Sequence, residues 1–86
     1  MSEVAARILK RVTLLVYGHG SEFFPGKKDR LEVEVPARAS VNEILDSLGV
    51  NRSLVMFVVA NGIRKDRDYV PSDGEEITVV SPPSGG

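Results

Sequence analysis

The spacing of hydrophobic and polar residues changes several times along the chain, and each change marks an element. In VTLLVY, Val12, Leu14 and Val16 alternate with Thr13, Leu15 and Tyr17, a β-forming run that predicts a strand with two unequal faces. Gly18 and Gly20 stop it. The stretch HGSEFFPGKKDR, from His19 to Arg30, contains Pro25-Gly26 turn chemistry, and its Phe23 and Phe24 are expected to anchor the loop at the core edge. Leu31, Val33 and Val35 then alternate with Glu32 and Glu34 as far as Pro36, which predicts a half-buried second strand.

The period switches in SVNEILDSLG. Val41, Ile44, Leu45 and Leu48 fall on one helical face, Ser40 and Glu43 have capping-box spacing, and Gly49 supplies a left-handed stop. LVMFVVA, Leu54 to Ala60, is apolar throughout and reads as a central strand covered on both faces. Asn61-Gly62 is a strong two-residue hairpin signal. IRKDRDYV then turns back as a short, poorly regular strand or loop, and Asp73-Gly74 makes another tight turn. In EEITVVS, Ile77 and Val79 should face the core while Thr78 and Val80 face away.

The order strand, strand, helix, strand, minor strand, strand predicts an α+β fold of the β-grasp (ubiquitin-like) type, with a mixed sheet of about four to five strands packed on one main helix. The first two strands suit an antiparallel hairpin, and the last is expected beside the first. Residues 1–81 read as a single domain. Residues 82–86, PPSGG, read as a flexible tail, because proline removes a backbone donor and glycine loses the most freedom on ordering.

Composition narrows the partners. An 86-residue chain with 42% hydrophobic and 27% charged residues has room for one modest core. A net charge of -1 shows no basic excess of the kind that binds nucleic acid or an anionic membrane. Cysteine is absent, which excludes disulfides, thiolate metal sites and a cysteine nucleophile, and fits a cytoplasmic location. The opening MSEVAARILKRVTLLV lacks a small-residue cleavage site and reads as the approach to a first strand rather than a signal peptide, and no run reaches membrane-spanning length.

Few residues suggest autonomous chemistry. Gly18, Gly20 and Gly26-Lys27 lack phosphate-loop spacing, and Lys28 stands where Ser or Thr is required. His19 is the only histidine, with no second histidine or cysteine to complete a metal site. No serine, histidine and acid stand at recognisable catalytic spacing. RKDRD, Arg64 to Asp68, reads as a solvated run of mixed sign, with Arg64 and Lys65 as candidate partner contacts. Leu15, Tyr17 and Val80, with part of the central strand, are candidates for a contiguous outward patch of the kind that marks an interface.

The helix SVNEILDSLG, the ANG at Ala60 to Gly62, the block DGEEITVVSPP from Asp73 to Pro83 and the final Gly85-Gly86 together resemble the small sulfur-carrier proteins of the ubiquitin-like superfamily, especially the small subunit of molybdopterin synthase. The likeness covers nearly the whole chain. It implies a protein co-substrate rather than an enzyme, with no bound cofactor. An E1-like adenylating enzyme would use ATP to adenylate the Gly86 carboxylate, and displacement of the adenylate would leave a thiocarboxylate. The tail, Pro82, Pro83, Ser84, Gly85 and Gly86, would then enter the large subunit of the synthase and deliver sulfur for the molybdenum or tungsten cofactor. The chemistry is coherent, because a carboxylate is a poor electrophile until activated and terminal glycine has no Cβ to crowd the acyl carbon.

One departure concerns the tail, where only Ser84 separates the prolines from the glycines and such tails commonly place two residues there. A residue of extended chain is worth about 3.3–3.6 Å of reach, so the departure bears on partner choice. Three other readings are a thiamin-pathway sulfur carrier, whose members usually lack the Pro-Pro, a modifier conjugated to lysines, and a non-covalent β-grasp binding module.

Overall fold

The computed structural model describes residues 8–17 and 23–81. Strand β1 runs Leu9–Tyr17, β2 Arg30–Pro36, β3 Phe57–Ala60, β4 Ile63–Lys65 and β5 Glu76–Val80, and the helix α1 runs Val41–Ser47. The strands form one five-stranded sheet in the order β2-β1-β5-β3-β4. β1 is antiparallel to β2 and parallel to β5, while β3 is antiparallel to both β5 and β4. This is the expected mixed sheet on one helix, with the last strand beside the first.

Alternation decides what faces the helix. Val12, Leu14 and Val16 of β1, Val58 and Ala60 of β3, and Ile77 and Val79 of β5 are buried with Val41, Ile44 and Leu45 of α1. Ser40 Oγ accepts from Glu43 N–H at 3.2 Å, and Glu43 Oε1 accepts from Ser40 N–H at 2.9 Å, completing the capping box. Two more amides of the first turn are satisfied from the β4–β5 connection, where Val41 N–H donates to Tyr69 O and Asn42 N–H to Arg67 O. Gly49 ends the helix region at φ +76°. Asn61 and Gly62 both take positive φ, 54° and 75°, as a tight two-residue hairpin requires.

Three expectations are corrected. β1 begins at Leu9 rather than Val12, because Leu9, Lys10 and Arg11 extend the pairing with β2 to Pro36. β3 is confined to Phe57–Ala60 and buries alternate residues on one face; Leu54 belongs to a short 3-10 turn, so the apolar run is not a strand covered on both sides. Of the two phenylalanines in the loop, Phe24 is buried in the core while Phe23 is exposed.

Among the described residues, Lys10 is the buried charged side chain. Its Nζ donates to Ala39 O at 2.9 Å and to Pro71 O at 2.6 Å, tying β1 to the connections on either side of the helix N-terminus. Burial pulls its pKa below the ordinary lysine value, partly offset by the Glu75 and Glu43 carboxylates. Beside it Tyr69 donates its hydroxyl to the Glu75 carboxylate at 2.8 and 2.9 Å, which pushes the phenol pKa up.

Candidate functional site

The sheet face turned away from α1 is built by the residues that alternate with the core. The registers place Tyr17 beside Val80 and Val80 beside Phe57, a row crossing β1, β5 and β3. The adjacent row runs Leu15, Thr78, Val59 and Arg64, ending on β4. Tyr17 is 72% exposed, and Leu15, Phe57, Val59 and Val80 are half-buried. Neighbouring apolar side chains on three adjacent strands thus form one patch. The face turns polar toward the start of β5, where Glu32, Thr13 and Glu76 form one row and Arg11 and Glu34 pair in the row beyond.

The cationic border of this patch is built by cross-strand geometry. The guanidinium carbon of Arg64 lies 4.2 Å from the centroid of the Phe57 ring, close enough for a cation–π contact. Lys65 takes the other face, since it pairs with buried Val58, and its Nζ sits 5.2 Å from the Tyr69 ring centroid. Of the residues singled out from sequence, Leu15, Tyr17, Val80 and Arg64 therefore come together and Lys65 stands apart. Phe57 and Val59 complete the patch without having been named individually. The signal that would have found them is the pairing of β3 with β5, which puts every second residue of both strands on one face.

β5 ends at Val80 in the first of these rows, so the chain leaves the sheet from its central strand at the apolar end of the patch. Ser81 Oγ is buried there with no hydrogen-bond partner among the described residues. Pro82, Pro83, Ser84, Gly85 and Gly86 lie outside the described residues. Chemically the face offers aliphatic and aromatic surface, the Thr78 hydroxyl and a guanidinium. Those groups suit binding. Among the described residues, no cluster of three or more His, Asp or Glu could hold a metal ion, and no helix is long and apolar enough to cross a membrane.

Comparison with known proteins agrees with this architecture. The family described as Mut7-C ubiquitin matches residues 9–84, and the chain belongs to that family. Its fold is the ubiquitin-like β-grasp. SAMP1 from Haloferax volcanii is similar at a TM-score of 0.64 and 21% identity, over 88% of this chain and 99% of that one. Urm1 from Trypanosoma brucei is similar at 0.64 and 18%, over 91% and 97%. A putative molybdopterin converting factor subunit 1 from Pyrococcus furiosus is similar at 0.62 and 17%, over 85% and 98%. No curated protein matches the chain.

Proposed function

We propose that the protein is a sulfur carrier, a co-substrate whose Gly86 carboxylate is adenylated by an E1-like enzyme with ATP, converted to a thiocarboxylate and used to deliver sulfur for molybdopterin synthesis. The observation that carries this reading is positional: the central strand β5 ends beside the apolar row of Tyr17, Val80 and Phe57 and runs on, in sequence, into PPSGG. A partner gripping that row would find the tail starting at its own surface. Docking would bury the apolar patch, with Arg64 giving orientation at its border. Pro82 and Pro83 would bias the base of the tail toward an extended form and lower the entropy lost on insertion. The reading requires Gly86 to carry the free carboxylate of the working protein. A structure described as a putative molybdopterin converting factor subunit, among those similar to this chain, supports the choice of pathway.

A second reading is supported by the similar archaeal structure described as a small archaeal modifier protein. The same activated glycine would acylate lysines of other proteins, since an acyl adenylate accepts either sulfur or nitrogen nucleophiles. Incubation with ATP, a sulfur source and the source organism's activating enzyme, followed by intact-mass analysis, separates the two. Replacement of one oxygen by sulfur supports the carrier, lysine adducts in the host support the modifier, and an unchanged chain contradicts both.

A further inference from the structure

We propose that β2 is a self-pairing edge, through which two copies of this chain join antiparallel about a two-fold axis at Leu31 and continue one sheet across both. Among the described residues β2 is an outer strand of the sheet, and its backbone pairing identifies what faces outward. Val16 N–H donates to Asp29 O at 2.8 Å and Ala37 N–H to Ile8 O at 3.1 Å, in the same register that opposes Leu14 to Leu31, Val12 to Val33 and Lys10 to Val35. Opposed residues in an antiparallel ladder alternate between pairs that exchange hydrogen bonds and pairs that do not. The odd-numbered residues of β2 thus bond to β1. Arg30, Glu32 and Glu34 turn their amides and carbonyls to the open edge.

The side chains along that edge are charged in a self-complementary order. Lys28, whose backbone is extended at φ -92° and ψ 150°, and Arg30 are positive; Glu32 and Glu34 are negative. Pairing centred on Leu31 sets Arg30 opposite the partner's Glu32 and Lys28 opposite the partner's Glu34, with each pair repeated by the two-fold. The neighbouring registers are poorer. A centre at Glu32 opposes that residue to its own copy and keeps only the two Arg30–Glu34 pairs, and a centre at Val33 opposes Glu32 to Glu34 twice. Like charges directly opposed destabilise a sheet pair, so the sequence favours one register.

Apolar packing follows from the same register. Leu31 and Val33 are only half-buried on the helix side of the sheet, and the axis brings Leu31 against the partner's Leu31. Existing ion pairs do not compete strongly. Arg30 with Glu76 at 3.6 Å and Arg11 with Glu34 at 3.4 Å both join exposed side chains, and such pairs contribute little. The other outer strand, β4, offers three residues with Arg64 and Lys65 adjacent, and has no such self-complementarity. Because each copy uses the same edge, the assembly closes at two. β5 lies two strands away from the joint, so pairing leaves its end free for the proposed carrier role, on which this inference does not depend.

Sedimentation velocity of the full chain over a range of protein and salt concentrations tests the edge. The expected result is a reversible dimer that weakens as salt rises. Glu34→Lys alone opposes Lys28 to a lysine, and Lys28→Glu alone opposes two glutamates, so each should weaken self-association about tenfold or more. Mixed in equal amounts, the two variants should recover wild-type association as a heterodimer, because both outer pairs again join opposite charges. A wild-type chain that stays monomeric at every concentration, variants that dimerise as well as wild type, or a mixture no tighter than its components would each overturn the proposal.

Discussion

Arg64 lies with its guanidinium over the Phe57 ring, 4.2 Å from the centroid, and so fixes a positive charge at the border of the apolar face. The two residues are not directly opposed in the ladder, since Arg64 pairs with Val59. Their contact is diagonal, within reach of long and aromatic side chains on neighbouring strands. An exposed cation–π contact of this kind is worth about 0.5–1 kcal/mol.

Docking should therefore respond to this face without unfolding the chain. Tyr17→Glu and Arg64→Ala each alter an exposed side chain, and stability should stay within about 1 kcal/mol of wild type. Binding to the activating enzyme should weaken for both, more for Tyr17→Glu, which puts a charge into the apolar row. Titration calorimetry alongside thermal melts checks this, and unchanged affinity for both variants would place the interface elsewhere.

Lys10 should be costly to replace. Lys10→Met keeps most of the stem's volume but leaves the carbonyls of Ala39 and Pro71 without their donor, for an expected loss of about 1–3 kcal/mol. Denaturant melts measure it directly. A stability equal to wild type would mean that the two carbonyls find water instead.

Tyr69 and Lys10 should shape the alkaline limb of stability in opposite senses. The Tyr69 pKa is raised, so its contribution is present below the ordinary phenol value of about 10 and is lost as pH rises through the folded value. The Lys10 pKa is lowered by burial, so its penalty is relieved as pH climbs from the folded value toward the ordinary lysine value. Tyr69→Phe should cost about 1 kcal/mol at neutral pH through the lost hydrogen bond to Glu75, and its deficit should shrink above pH of about 10. Melts of both proteins from neutral to alkaline pH test the sign, and a constant deficit would contradict it.

Much of the architecture was legible because it rests on local signals. Ser40 and Glu43 announce the helix start, Asn61-Gly62 the hairpin and Gly49 the helix stop, and each owes its geometry to neighbours within a few residues. The period of two alone places Ile77 and Val79 in the core, where both are buried. What failed was non-local. Lys10 looks like a solvent residue until Ala39 and Pro71, 29 and 61 positions away, supply acceptors for its ammonium. The unbroken apolar run hid the alternation of Phe57 and Val59 with Val58 and Ala60, since only burial distinguishes the two faces. Arg64 and Lys65 are neighbours in sequence, yet period two sends them to opposite faces, and that much could have been read beforehand.

The central claim is that the carboxylate of Gly86 is the working group, and the most direct measurement is intact-mass analysis after incubation with ATP, a sulfur source and the cognate activating enzyme. Wild type should exchange one oxygen for sulfur. Gly86→Ala keeps the length but adds a methyl beside the acyl carbon, so it should react more slowly. Deletion of Gly86 shortens a five-residue reach of at most about 17 Å and should be impaired more. One residue appended after Gly86 turns the reactive carboxyl into an amide and should abolish the exchange. No exchange in wild type, or normal thiocarboxylation of the deletion variant, would contradict the carrier account even though the β-grasp fold stands.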